Sequence, residues 1–207
     1  MGYTGYEYDV FISYAHADDI PDAFGNGWVG QFQDELRKIL PQRLKGEIPS
    51  IFFDRSDIKS NHQLGKLRAA ARNSAVFVAI TSPNYAARSW TREELRAFTE
   101  SNKWNEEGET RICAVECLEP EGRDTFPPPL DTHIALPLWE MRGTVSIPLR
   151  PRHDEYLVKL TMVAIDIAKM LRQIRNGAAR GATGLAGAEA AGGSGPSVLL
   201  AQATDDL

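Results

Sequence analysis

Ala75-Val-Phe-Val-Ala-Ile80, followed closely by Ser82-Pro-Asn-Tyr-Ala-Ala-Arg-Ser-Trp-Thr-Arg-Glu-Glu-Leu-Arg-Ala-Phe98, is the stretch that decides the fold. The first part is a short apolar run rich in β-branched residues, the pattern of a strand buried on both faces. The second part passes through a polar loop into a helical pattern, with Leu95, Ala97 and Phe98 on one side and Arg92, Arg96 and Glu100 on the other. Open α/β sheets bind ligands in such loops, just beyond the carboxyl ends of their strands. Trp90 and Glu94 stand four residues apart at the start of that helix and therefore share one surface. An aromatic face beside a carboxylate suits a ligand that carries a flat ring together with hydroxyls or developing positive charge.

Working outward, Tyr8-Asp-Val-Phe-Ile-Ser-Tyr14 reads as the first and central strand, and the Asp-, Pro- and Gly-containing stretch 15–27 as a long loop. Trp28, Phe32, Leu36 and Ile39/Leu40 define a helix that Pro41 is expected to close. Pro49-Ser-Ile-Phe-Phe53 is the second strand, with a loop from Asp54 to His62 beyond it. Leu64, Leu67, Ala70 and Ala71 give the next helix a small-residue face suited to close packing on a sheet. The central helix is expected to run to about Trp104. Arg111-Ile-Cys-Ala-Val-Glu-Cys117 is a fourth strand, and Ile134-Ala-Leu-Pro-Leu-Trp139 a fifth whose proline confines it to an edge. Tyr156, Leu157, Leu160, Val163, Ile167, Met170 and Leu171 mark a last helix from Asp154 to Ile174. Strands alternating with helices imply a parallel sheet covered on both faces.

Residues 176–196 are mostly Gly and Ala with Ser and read as a flexible linker. Ser197-Val-Leu-Leu-Ala-Gln-Ala203 then resembles one more buried strand, so 197–207 is expected to be the truncated start of a second domain.

The 207 residues are 43% hydrophobic, enough for one sizeable α/β domain with an appendage. A formal charge of −5 argues against binding nucleic acid or an anionic membrane by electrostatics. No apolar run reaches membrane-spanning length, and the N-terminus lacks the basic-then-apolar order of a signal peptide, so the chain reads as cytoplasmic. Cys113 and Cys117 stand about 13 Å apart along an extended strand, too far for a disulfide. They read as small buried hydrophobes. His16, His62, His133 and His153 show no metal spacing and read as surface residues; no metal site is expected.

Three pieces, in order, resemble the Toll/interleukin receptor (TIR) domain family. They are Asp9-Val-Phe-Ile-Ser-Tyr14, Phe53-Asp-Arg55 with its loop, and Ser82-Pro-Asn-Tyr85 with Ser89-Trp90 and Glu94-Leu95. The resemblance covers roughly residues 6–175, so 1–175 is expected to be one TIR domain. It implies a flavodoxin-like three-layer α/β sandwich with a five-stranded parallel sheet in the order 2-1-3-4-5. The segment at about 54–62 is similar to the family's BB loop, through which neighbouring copies self-associate. It lacks the Pro-Gly pair of many receptor and adaptor members, which leans the chain toward a bacterial-type effector.

Some family members cleave NAD+ and release nicotinamide, as in bacterial defence proteins, plant immune receptors and axon-degeneration factors. Others only assemble with one another in signal transduction. In the enzymes the glutamate that matches Glu94 is catalytic. NAD+ would be substrate and no cofactor is implied. Phe11, Ser13 and Tyr14 end the first strand at the cleft, which Tyr14 or the following Ala15-His16 could line by position. Tyr14, Ala15, Asp54, Arg55, Ser82, Ser89 and Trp90 are the candidates to line the binding cleft. Competing structural roles stand beside these. Glu94 lies in a first helical turn, where any carboxylate gains about 0.3–1 kcal/mol from the helix dipole, and Thr91 with Glu94 would form a capping box. Glu93 could take its place after a one-residue shift of register. Ser82 and Ser89 suit N-caps, Trp90 suits packing, and Asp54 with Arg55 suits an ion pair or turn. The first strand has no acidic pair, which disfavours a phosphoacceptor receiver domain.

Overall fold

The computed structural model describes residues 2–54, 61–101 and 111–190, and the side chains of all of these but 61–62 and 179–190. Eight consecutive buried residues, Ser74–Thr81, form strand β3, which accounts for the unbroken apolar run there. Beside it lies β1 (Tyr8–Tyr14), buried at every position but the first. β2 (Ile51–Phe52) flanks β1, while β4 (Ile112–Glu116) and β5 (Leu136–Pro137) extend the sheet past β3. The order is β2-β1-β3-β4-β5 and every pairing is parallel. This is the flavodoxin-like arrangement expected from the sequence. Pro137 sits on the edge strand, where a missing N–H leaves no ladder unpaired.

Parallel strands need crossovers, and the helices that supply them cover both faces. On one face α1 (Trp28–Arg43) and α5 (Asp154–Ala190) pack together over Val10, Ile12, Val76, Val78 and Ile80. On the other face α2 (Asn61–Arg72), α3 (Pro83–Ala87) and α4 (Ser89–Ser101) cover Phe11, Phe77 and Ala79. The period of two along β1 thus sends alternate residues into two separate cores.

Four elements differ from the sequence reading. Helix α1 continues through Pro41 to Arg43. Proline's fixed φ is already helical, and near a C-terminus its missing N–H leaves just one carbonyl unanswered. The loop after β3 contains the short helix α3, which one turn of hydrogen bonds does not announce in sequence. An antiparallel hairpin, β6 (Trp139–Arg142) with β7 (Val145–Pro148), follows β5. It docks through Trp139 Nε1, which donates to the buried Glu116 carboxylate at 3.2 Å, and Leu138 N, which donates to the Glu116 carbonyl at 2.8 Å. Finally, α5 leaves the core near Ile174 but runs on to Ala190, into the stretch that composition reads as a linker. Alanine is the best helix former, and isolated glycines tax a helix without ending it. Residues 197–207 and 55–60 lie outside the described residues, as does the chain between Ser101 and Arg111.

Asp9 ties the sheet's lower end together. Its wholly buried carboxylate accepts from Tyr3 N, Thr4 N and Thr4 Oγ1, each at 2.8 Å, and from Ser50 N at 2.8 Å and Ser50 Oγ at 3.1 Å. Replacing it with alanine strands several donors at once, so Asp9→Ala should lose about 3 kcal/mol or more in urea unfolding. A loss below about 0.5 kcal/mol would show that water replaces these bonds.

Candidate active site

Helix α4 turns Thr91, Glu94, Leu95 and Phe98 toward the sheet, the i, i+3, i+4, i+7 stripe of a packed face. Glu94 therefore occupies a position that the pattern reserves for an apolar side chain, and it is 4% exposed. Glu93 points outward and pairs with Arg68 at 3.6 Å. Of the two adjacent glutamates, only Glu94 faces the sheet. It does not close a capping box. Thr91 Oγ1 donates to the carbonyls of Tyr85 and Arg88, both at 2.9 Å, and Glu94 Oε2 lies 2.5 Å from Ser13 Oγ. Ser13 reaches it because alternation along β1 places Ser13 on the same face as Phe11 and Ala15.

Burial raises the Glu94 carboxyl to about 8; the hydrogen bond from Ser13 opposes this, while the nearby Asp54 and Glu93 charges add to it. At neutral pH the carboxyl in this arrangement is mostly protonated.

Around it, Phe11, Ile12, Tyr14, His16, Asp54, Leu67, Trp90 and Glu94 line one pocket of about 10 Å³, room for about one water. Tyr14 donates from its hydroxyl to the Asp54 carbonyl at 2.7 Å, and its ring lies 5.1 Å from both Phe53 and His16. Trp90 is half-buried, with the Arg88 guanidinium 5.1 Å over its ring. Its Nε1 is buried and has no hydrogen-bond acceptor among the described residues.

The sequence candidates thus divide. Tyr14, Asp54, Trp90 and Glu94 meet in the pocket. Ala15 is buried in the core beside it, and Ser89 is exposed at the start of α4. Ser82 caps α3, accepting from Tyr85 N at 2.9 Å, and donates to the buried Asp18 at 2.5 Å. Asn84 Nδ2 also donates to Asp18, at 2.8 Å, so Asp18 binds the loop after β1 to the loop after β3. Burial raises the Asp18 carboxyl above its ordinary value, with Ser82 and Asn84 opposing. Arg55 lies outside the described residues.

Tyr85 and Leu67 join the candidate site without being among the sequence candidates. Ser13 stands at the cleft end of β1 as expected, and His16, read both as a surface residue and by position as a residue that could line the cleft, lines the pocket. A glutamate at a core position of an amphipathic helix is the signal that could have led to its partner. Cys113 and Cys117 are free and buried, as expected. Burial pushes the Cys113 thiol up to about 12 and makes it unreactive.

A larger cavity lies elsewhere. It has about 400 Å³ between the β4–β5 edge and α5, lined by Ile112, Ala114, Leu136, Val163 and Met170. It is mainly apolar; its described lining includes the carboxylate of Asp166 and the imidazole of His133 but no indole or phenyl ring, so size alone does not locate the chemistry. No helix among the described residues is long and apolar enough to cross a membrane.

Among solved structures, the chain is similar to the TIR domains of the activated Roq1 resistosome directly recognising the pathogen effector XopQ. The identity is 20% over 82% of this chain and 84% of that one, with a TM-score of 0.35. No curated protein matches it. Residues 10–155 match the family model for the TIR domain. With that match over most of its length and the 2-1-3-4-5 parallel sheet, the chain belongs to the TIR domain family.

Proposed function

We propose that this TIR domain cleaves the bond between nicotinamide and ribose in NAD+, with Glu94 as the reacting carboxylate, and that it serves as an assembly-activated signalling or defence effector. The observation that carries the reading is Glu94 itself. A carboxylate replaces an apolar residue on the buried face of α4, beside Trp90 and at the carboxyl end of β1. A helix that needed only packing would place leucine there.

The chemistry asks for little else. Nicotinamide departs as a neutral ring, so the leaving group needs no general acid. As the bond breaks, the ribose gains oxocarbenium character, and a carboxylate in a site of low dielectric stabilises that charge far better than water does. The product, ADP-ribose, is linear or cyclic according to which nucleophile then reaches the ribose. Trp90 offers an aromatic face for the nicotinamide ring, and Tyr14 and Asp54 form the rim.

Two features of the pocket support activation by assembly. A volume of about 10 Å³ admits no nicotinamide ring until the lining side chains part. In addition, the buried carboxyl is mostly protonated at neutral pH, whereas the transition state needs its charge. A neighbouring copy that engages the segment at about 54–62 would act beside Asp54, on the pocket's rim. Binding NAD+ also brings a cationic nicotinamide ring to Glu94, which favours the ionised form.

Three outcomes test this. The purified chain at high concentration, or fused to an oligomerising module, should release nicotinamide from NAD+. Glu94→Gln should abolish release, lowering kcat by at least about 100-fold. Equal release by both proteins refutes the assignment, and no release even under forced assembly leaves the family's other role, a TIR–TIR interaction module. In the rate–pH profile, kcat/KM should rise with pH through the carboxyl's midpoint near 8. The limb in kcat should lie lower, because the bound cation favours ionisation.

The stability of the free protein carries the opposite sign. The folded carboxyl holds its proton up to about pH 8, against 4.5 in the unfolded chain, so stability falls as pH rises through that window. Glu94→Gln should therefore melt higher than the wild type at pH 8, by about 2–4 °C for each kcal/mol of relieved charge burial. The gain should vanish near pH 4.5. A gain of equal size at both pH values would show that the carboxyl does not titrate between folded and unfolded states.

A further inference from the structure

Ser13 Oγ lies 2.5 Å from Glu94 Oε2 and 3.2 Å from the Tyr85 hydroxyl oxygen. A serine has one proton, so it donates to one of these partners and accepts from the other. Tyr85 is 0% exposed, and burial holds its phenol protonated far above the ordinary range. A buried phenol proton needs an acceptor, and Ser13 Oγ is the one at hand. Ser13 then gives its own proton to Glu94.

We propose that Ser13 and Tyr85 are positioning residues for Glu94. Tyr85 donates to Ser13, Ser13 donates to Glu94 Oε2, and Oε1 is left for the ribose of the substrate. The role in turnover rests on the reading of Glu94 as the reacting carboxylate; the hydrogen-bond chain does not. The chain has two effects. It fixes the carboxyl's rotation, since one oxygen is committed to the strand. It also stabilises the charged form, because a hydroxyl donated to a carboxylate is stronger than one donated to a neutral acid.

Among the described residues, the polar and charged groups around Glu94 come from every packed element. They are Ser13 and Tyr14 on β1, His16 just after it, Asp54 beyond β2, Tyr85 on α3 and Glu93 on α4, with Arg68 of α2 engaged with Glu93. Asp54 and Glu93 favour the neutral acid, and Ser13 opposes them. The geometry explains why a hydroxyl stands on the sheet face between Phe11 and Ala15, where an apolar side chain would pack more simply.

The test is a titration that needs no turnover. In the full chain with 13C-carboxyl-labelled glutamate, the Glu94 resonance is assigned by its loss in Glu94→Gln. In Ser13→Ala its midpoint should rise by about one pH unit, a tenfold change in acid constant. Tyr85→Phe, which removes only the second donor, should shift it the same way by about half as much or less. For nicotinamide release at pH 7, Ser13→Ala should lower kcat about tenfold while KM stays within about twofold, the mark of an interaction made in the transition state. A Ser13→Ala midpoint within about 0.3 unit of the wild type overturns the proposal. So does a shifted midpoint with kcat unchanged in an active enzyme. If no variant, wild type included, releases nicotinamide, the enzymatic reading fails while the titration still decides the hydrogen-bond chain. Should Ser13→Ala not fold, Tyr85→Phe carries the same test, since it deletes one oxygen and leaves the ring in place.

Discussion

Burial of β3 on both faces is the constraint from which the rest of the molecule follows. Eight adjacent buried residues require pairing partners on both sides and a helical layer above and below. β1 and β4 meet the first demand, and α1 and α5 on one face and α2, α3 and α4 on the other meet the second. Because the strands are parallel, all their carboxyl ends emerge on one side. The order reverses between β1 and β3, which sends their following loops to opposite faces of the sheet and opens the place where ligands bind in this architecture.

At that place the protein gives up packing for polarity. Glu94 and Ser13 sit where apolar residues would serve the core better, and Asp18 is buried 2.5 Å from Ser82 and 2.8 Å from Asn84. The two arrangements differ in kind. Asp18 is met by two donors and joins the loops after β1 and β3. Among the described residues, Glu94 is held through one oxygen, at the edge of a pocket lined by Phe11, Tyr14, His16 and Trp90 together with Ile12, Leu67 and Asp54. Among the described residues one donor serves this buried acid, an expensive structural device, and this asymmetry supports the proposed chemical role of Glu94 over a scaffolding one. Asp9, fully buried and given five hydrogen bonds, shows what a purely structural carboxylate looks like in the same molecule.

The hairpin β6–β7 illustrates how an addition is attached to such a sheet. It continues from the edge strand β5 and is fastened by Leu138 and Trp139 to opposite ends of one residue, the backbone carbonyl and the carboxylate of Glu116. Arg123 pairs with the same carboxylate at 3.1 Å, so that Glu116 is buried but compensated. Sheet edge, hairpin and the long connection after β4 are thus held at one point.

Much of this was legible in the residues alone. Five strands, their parallel arrangement and the helices between them follow from hydrophobic period, which is a local property and survives without knowledge of the fold. The Trp90–Glu94 spacing, the edge position of Pro137 and the buried thiols are of the same kind. What sequence could not supply depends on contacts between distant segments. Ser13 and Glu94 are 81 residues apart and Asp18 and Ser82 are 64 apart, so only the packed sheet brings them together. The same holds for Pro41, which stays inside α1 because its surroundings tolerate the lost bond, and for the hairpin, whose short strands carry little signal until Glu116 receives them. Sequence determined which side chains turn inward from each element, because periodicity sets that. Tertiary structure alone decided which inward-facing groups meet, because hydrogen bonds between distant strands and helices exist only after the chain has closed on itself.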